Sequence, residues 1–369
     1  MTTVPAARIV DRHSRRRLLT RSAALLALPA AGGCTSIGPT RLDRDQIDYA
    51  RVIANSGKRQ TLFNLVRLRF GEPPSFVAIS QVVSGYTVQN TAQGNFQVNP
   101  SGAINSYWAL LGSTQYTDRP TFTLDPITGD RFVEAYMRPF APASVLPLID
   151  GGIPVDLLFR LMVQAIGPVQ NTHPLGGPDR SGSPEFLPLV GWLKQLQEGG
   201  ALRIRVRRER EAVRVFLTLD TRGAPVLTPL ADRVYRLLSV DPAAREVEVI
   251  YGSQPTRLPA REIPVLTRSL LNVLYAVAAE IDVAAEDVAA QRAPPTLREP
   301  GSPRPVIVIR SGPRPPPRSY AEVEVHGRWY WLEEDDYQSK LTFTILELLK
   351  RIAEGGRGSA PPVLTIPAG

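Results

Sequence analysis

Residues 73–117 carry no Asp, Glu, Lys, Arg or His, a run of 45 positions between Glu72 and Asp118. A soluble surface of that length holds roughly a quarter charged residues. An ordinary solvated face is therefore excluded. Three environments remain: strands inside a domain, a surface that meets protein, or a membrane. The run is rich in Ser, Thr, Gln, Asn and Gly, with aromatics at Phe76, Tyr86, Phe96, Tyr107, Trp108 and Tyr116. Residues 76–89 and 104–116 read as extended, with Asn, Gly and Pro-Ser-Gly turn signals between them. A barrel strand crosses an outer membrane in about 9–11 residues, and charge facing lipid is disfavoured. Two strands joined by a polar turn fit a hairpin that each subunit gives to a shared barrel, with the aromatics as interface anchors. Val82-Val83 and Leu110-Leu111 break the simple alternation, so periodicity alone does not choose among the three.

The N-terminus limits where such a segment acts. Arg8, Arg12, Arg15, Arg16, Arg17 and Arg21 precede the apolar run 22–31, and Ala31-Gly32-Gly33 leads into Cys34. The apolar run is about half the ~20 residues that span a bilayer, so residues 1–33 read as a secretory signal. Ala31-Gly32-Gly33-Cys34 resembles the bacterial lipobox, which makes Cys34 the lipid anchor and the new N-terminus. Ser14-Arg15-Arg16-Arg17-Leu18-Leu19 also resembles a twin-arginine signal; a plain export signal fits equally. Cys34 is the only cysteine, so no disulfide forms within the chain. The leader also accounts for most of the charge. The chain has 43 Lys and Arg against 35 Asp and Glu, a net +8. Removing six Arg and one Asp leaves 37 against 34, or +3, and the case for a nucleic-acid partner goes with them.

The rest predicts an α+β fold: mixed helices and antiparallel sheet, closed by a hairpin–helix–strand unit. Residues 34–45 read as anchor and tether. A main domain follows over 46–291, then a proline-rich linker over 292–319 and a C-terminal unit over 320–369. Helices are expected at 46–55, 58–70, 131–137, 142–149, 154–166, 185–198, 267–281 and 337–354. Strands are expected at 121–124, 202–207, 212–218, 245–251, 306–309 and 363–366, and a hairpin at 321–332 turning on His326-Gly327. On the last helix Leu341, Ile345, Leu348, Leu349 and Ile352 share a face, with Glu347 and Arg351 on the wet side.

Catalytic signatures are absent. No nucleophile elbow, zincin helix, phosphate loop or dinucleotide fingerprint is present. Beyond the leader only His173 and His326 remain, so no zinc site of His and Cys is expected and no cofactor is implied. Two clusters carry weaker chemistry. Trp329-Tyr330-Trp331 precedes Glu333-Glu334-Asp335-Asp336, aromatics beside acids, as glycan binding or cleavage would use. The same acids also suit a helix N-terminus, with Trp329 and Trp331 packing on the helix. Arg203, Arg205 and Arg207 alternate along a strand as an anion-binding row, or pair with Glu246 and Glu248 on an opposing strand.

Three patches resemble an uncharacterised family of exported lipoproteins from Gram-negative bacteria. They are Asn64-Leu65-Val66-Arg67-Leu68-Arg69-Phe70 with Pro73-Pro74-Ser75-Phe76; Arg119-Pro120-Thr121-Phe122-Thr123 with Pro126 and Gly129; and Trp329-Tyr330-Trp331-Leu332 with Ser339-Lys340 and Phe343, closing on Leu364-Thr365-Ile366-Pro367. The resemblance implies an envelope protein and no activity. The expectation is a periplasm-facing outer-membrane lipoprotein, held by lipid at Cys34. Its role is assembly or interaction through 73–117, as a homo-oligomer or with another envelope protein. The alternative is a glycan-binding or glycan-cleaving protein using residues 329–336.

Overall fold

The structure is a computed structural model that describes residues 39–97, 107–175, 182–209, 212–244, 246–252, 261–298, 301–302, 304–355 and 363–365. The expected leader, residues 1–33, and Cys34 lie outside the described residues. The chain divides into two units, residues 1–57 and 58–369. Helix α1, Pro39–Arg69, is continuous where the sequence predicts a tether and two helices. A glycine costs a helix only about 1 kcal/mol, so Gly57 does not interrupt good helix formers on both sides. Leu62, Leu65, Val66 and Leu68 are buried.

An antiparallel pair follows, β1 (Val77–Gln97) and β2 (Tyr107–Pro126). The strand expected at 121–124 is the lower end of β2, not a separate element. Next come α2 (Gly129–Phe132) with a π-helical turn Val133–Met137, α3 (Pro142–Val145), and α4 (Val155–Met162). The helix expected over 154–166 ends at Met162. Val163–Ile166 is strand β3, which turns at Gly167 (φ +54°) into β4, Val169–Gln170. Its pairing with a buried strand outweighs the local helical pattern.

Helix α5 (Phe186–Glu198), β5 (Leu202–Glu209), β6 (Ala212–Leu219), α6 (Thr228–Leu237), β7 (Val247–Tyr251) and β8 (Glu262–Thr267) then alternate. Their six-stranded sheet runs β4-β3-β8-β7-β6-β5 and is antiparallel except for β7–β8. Thr267 belongs to β8, and α7 (Leu270–Ala279) starts later, where the Ser269 hydroxyl accepts from the Asn272 N–H at 3.3 Å. The short α8, Ala285–Ala289, follows.

Residues 292–319 do not separate two bodies. Val306, Ile307 and Ile309 are buried in the same core as Leu62 and Leu189. They form no strand; the strand there is β9, Arg310–Gly312. Strands β10 (Ser319–Val325) and β11 (Arg328–Glu333) form the expected hairpin, with His326 and Gly327 both at positive φ, 53° and 72°. Helix α9, Tyr337–Glu354, packs beside them, and β12 is Val363–Thr365. The fold is α+β.

Two faces differ from expectation. The register Val323↔Tyr330 and Ala321↔Leu332 puts Tyr330 and Leu332 on the core face, both fully buried. Trp329 and Trp331 therefore lie on the opposite, half-buried face, and Trp331 leans on Gly312 of β9. On α9 the buried residues include Phe343, Ile345, Leu346 and Leu349, whereas Leu348 is 40% exposed and Glu347 is half-buried.

Candidate functional site

Segment 73–117 forms most of one long hairpin. Pairing runs without a gap from Val77↔Pro126 to Gln97↔Tyr107, with one extra residue, Ser80, between Ile79 and Gln81. The strands have 21 and 20 residues, about 65–70 Å at ~3.3 Å per residue. Residues 90–97, expected to begin the turn, are strand. Of the aromatics singled out, Tyr86, Phe96, Tyr107, Trp108 and Tyr116 all lie in the hairpin, and Phe76 lies just below it.

The register sorts the hairpin into two rows, because opposed residues share a face and successive rungs alternate. One row runs Val82/Phe122, Ser84/Pro120, Tyr86/Asp118, Val88/Tyr116, Asn90/Thr114, Ala92/Gly112, Gly94/Leu110 and Phe96/Trp108. The other runs Val83/Thr121, Gly85/Arg119, Thr87/Thr117, Gln89/Gln115, Thr91/Ser113, Gln93/Leu111, Asn95/Ala109 and Gln97/Tyr107. Above the rung of Arg119, the first row is mainly apolar and aromatic, with Asp118 opposite Tyr86 at its lower end and Asn90/Thr114 in its middle. The second is mainly Thr, Gln, Ser and Asn. The two Leu of Leu110-Leu111 fall in different rows.

The root of the hairpin is built into the core of residues 58–369. Asn64 is fully buried on α1. Its side chain donates to the Ser75 carbonyl at 2.8 Å and accepts from the Ser75 N–H at 2.7 Å. Gln60 donates to the Val77 carbonyl at 3.1 Å, and the Ile127 N–H donates to the Phe76 carbonyl at 2.9 Å. Phe76 is buried and stacks on Tyr136, with ring centroids 4.0 Å apart. The Tyr136 hydroxyl donates to the Glu354 carboxylate. Burial, and then Glu354, push this phenol above its ordinary range and keep it protonated as a donor. Lys350, also buried, lies 5.7 Å from the Phe76 ring centre and 3.4 Å from both Gln60 Oε1 and Thr61 Oγ1. Sequence reading missed Asn64, Gln60, Tyr136 and Lys350 as a root; a polar Asn within a buried helical stripe was the available signal.

Parts of the three patches singled out in the sequence meet here. Asn64 of the first holds Ser75. In the second, Thr121, Phe122 and Thr123 oppose Val83, Val82 and Gln81. From the last, Leu364 and Thr365 pair in parallel with Val82 and Val83 on the other side of β1. The three-stranded base β12-β1-β2 is thus built from segments more than 200 residues apart in sequence.

Two of the three arginines of the candidate anion row are brought into ion pairs. Arg205 and Arg207 contact Glu246 at 2.9 and 2.5 Å, and Arg214 pairs with Glu248. β7 lies next to β6 rather than β5, so these long side chains reach across a strand. Arg203 is exposed beside them. Its neighbours' charges are partly compensated, which weakens a dedicated anion row.

In the acidic run, Asp336 caps α9. It accepts from the Ser339 N–H at 3.1 Å and the Ser339 hydroxyl at 2.7 Å, and pairs with Arg304 at 2.7 Å. Burial pushes this carboxyl up, but the Ser339 bonds and Arg304 together bring it below its ordinary value. Glu333 lies 3.6 Å from Arg310, and Glu334 pairs with Lys340 at 3.0 Å. The lowered Asp336 carboxyl is poorly suited to act as a protonated general acid at neutral pH. His173 lies near Gln164, 3.2 Å from its amide, and burial followed by Arg268 lowers its pKa. No cluster of three metal-ligating side chains occurs among the described residues, and none of their helices is long and apolar enough to cross a membrane. Comparison with known protein families, characterised proteins and solved structures returned no match.

Proposed function

We propose that this chain is a periplasm-facing envelope lipoprotein of the outer membrane, anchored by lipid at Cys34, whose role is assembly rather than catalysis. Copies join through the β1–β2 hairpin. The observation that carries this is the hairpin's extent against the short stretch of it that another strand pairs with among the described residues. Among the described residues, β12 pairs with β1 only at Gln81, Val82 and Val83, and no strand pairs with the outer edge of β2. A two-stranded ribbon alone is marginal in water, and its edges present rows of unpaired N–H and C=O groups. Joining the β2 edge of one copy to the β1 edge of the next satisfies both. Those edges differ, so the contact is head-to-tail and closes into a ring when the rotation allows. β12 restricts the joint to the hairpin above Val83.

The test is particle size. Full-length protein is extracted in detergent and compared with a variant in which Gly85 is joined to Arg119 by Asn-Gly. Gly85 and Arg119 are already paired, so a two-residue turn fits there and the base is retained. The parent is expected as a multi-subunit ring in single-particle images, the variant as a folded monomer. A monomeric parent overturns the proposal.

A further inference from the structure

We infer that the outer part of the hairpin crosses a lipid bilayer, its apolar row against the acyl chains and its polar row lining a water-filled channel for small polar solutes. The inference rests on the self-association proposed above and adds what surrounds the ring. Four observations point to hydrocarbon rather than to another protein. The span has the right length: residues 86–96 and 107–116 count eleven and ten positions between aromatic ends, and a membrane strand needs about 9–11. At ~3.3 Å per residue and a tilt near 40°, eleven residues cover about 25 Å, the height of an outer-membrane barrel's apolar band.

Four of the five aromatics singled out in the hairpin sit at the ends of one row, and Tyr107 lies at the tip end of the other. Tyr86 and Tyr116 lie two rungs apart, and so in the same row, near the root, and Phe96 opposes Trp108 near the tip. Membrane proteins place such girdles at the two interfaces. Charge also stops at the same level. Asp118 and Arg119 lie at the rungs of Tyr86 and Gly85, and neither strand carries a charge beyond them. The connecting residues 98–106 are uncharged too, so no ionised group opposes their passage through the bilayer. Finally, the two rows differ in the way a barrel wall requires. A protein-covered ribbon has no need for one face of Thr, Gln and Ser free of any charge. A channel wall of uncharged polar groups does, and it predicts weak selectivity between anions and cations.

Leu110 and Leu111 give the sharpest test. They are identical and adjacent, yet the register opposes Leu110 to Gly94 in the apolar row and Leu111 to Gln93 in the polar row. Full-length Leu110→Cys and Leu111→Cys proteins are labelled with an environment-sensitive fluorophore. Both are reconstituted in phosphatidylethanolamine–phosphatidylglycerol vesicles, with the parent as the labelling control. Ala92→Cys and Thr91→Cys repeat the contrast at lower rungs. The expected result is several-fold stronger quenching of Leu110→Cys by nitroxide on the acyl chains, and of Leu111→Cys by aqueous iodide. Stepwise conductance with little ion preference accompanies it in planar bilayers. Quenching of both sites by iodide alone places the hairpin in water and overturns the inference. Multimers in which neither quencher reaches either site indicate a protein cover and also overturn it, leaving self-association intact. A parent that is monomeric in detergent removes the reading beneath both.

Discussion

Asp336 shows how a residue suited to catalysis serves structure instead. Its carboxylate satisfies the free Ser339 N–H at the start of α9 and pairs with Arg304, which also donates to the Ser339 hydroxyl at 2.9 Å. Replacing an N-cap with Ala costs about 1–2 kcal/mol. Asp336→Ala is therefore expected to lower unfolding free energy by that amount at pH 7, read from urea titration. The folded-state pKa lies below the ordinary 3.8. A depressed carboxyl contributes its stability fully above the unfolded value and loses it as pH falls through the folded one. The difference between parent and variant should thus hold from pH 7 to about 5 and shrink below about pH 4. A gap that persists undiminished at pH 2.5 refutes the charged cap. Asn64 is the counterpart at the hairpin root, with both polar ends of its amide spent on Ser75.

At the scale of elements, what the sequence made visible depended on where the deciding contact lay. The C-terminal helix was legible because its apolar period and Asp336 cap are local. So was the β10–β11 turn, since His326-Gly327 accepts positive φ at both positions. The extent of the long hairpin was not. Asn90, Gly94 and Asn95 have poor strand propensity and read as turn; they are strand because each faces a partner on β2. The row assignment was hidden by Ser80, an extra residue that resets which of Val82 and Val83 opposes Phe122. Only pairing between strands reveals it. The third strand of the base has a measurable role. A chain ending at residue 355 lacks β12, and Gln81, Val82 and Val83 lose their partners on that edge. Loss of two or so hydrogen bonds, each worth about 0.5–1.5 kcal/mol, predicts amide exchange about 10- to 100-fold faster at those residues. The core around Phe343 and Leu349 should keep its protection; loss of protection there as well would make the tail a general support rather than a local one.

For the whole molecule, the lipid proposed at Cys34 and the span inferred for the hairpin would be two independent attachments to one membrane. Each contributes by a different mechanism: an acyl chain by about 0.8 kcal/mol per buried CH₂, a span by the transfer of its apolar row and the closure of its edges. Release then requires losing both. Cys34→Ser keeps the proposed export leader but removes the thiol proposed to carry the lipid. Assembled Cys34→Ser protein should stay with membranes through a high-salt and carbonate wash, and so should the Asn-Gly variant without the hairpin. The double variant should be freed to the periplasmic fraction. Complete release of Cys34→Ser alone would mean that the hairpin holds nothing in the bilayer. Release of the hairpin-less variant alone would mean that Cys34 carries no anchor. Because removing either attachment tests the other, the four fractionation patterns separate a lipid-only, a hairpin-only and a doubly held protein without any knowledge of the solute that passes.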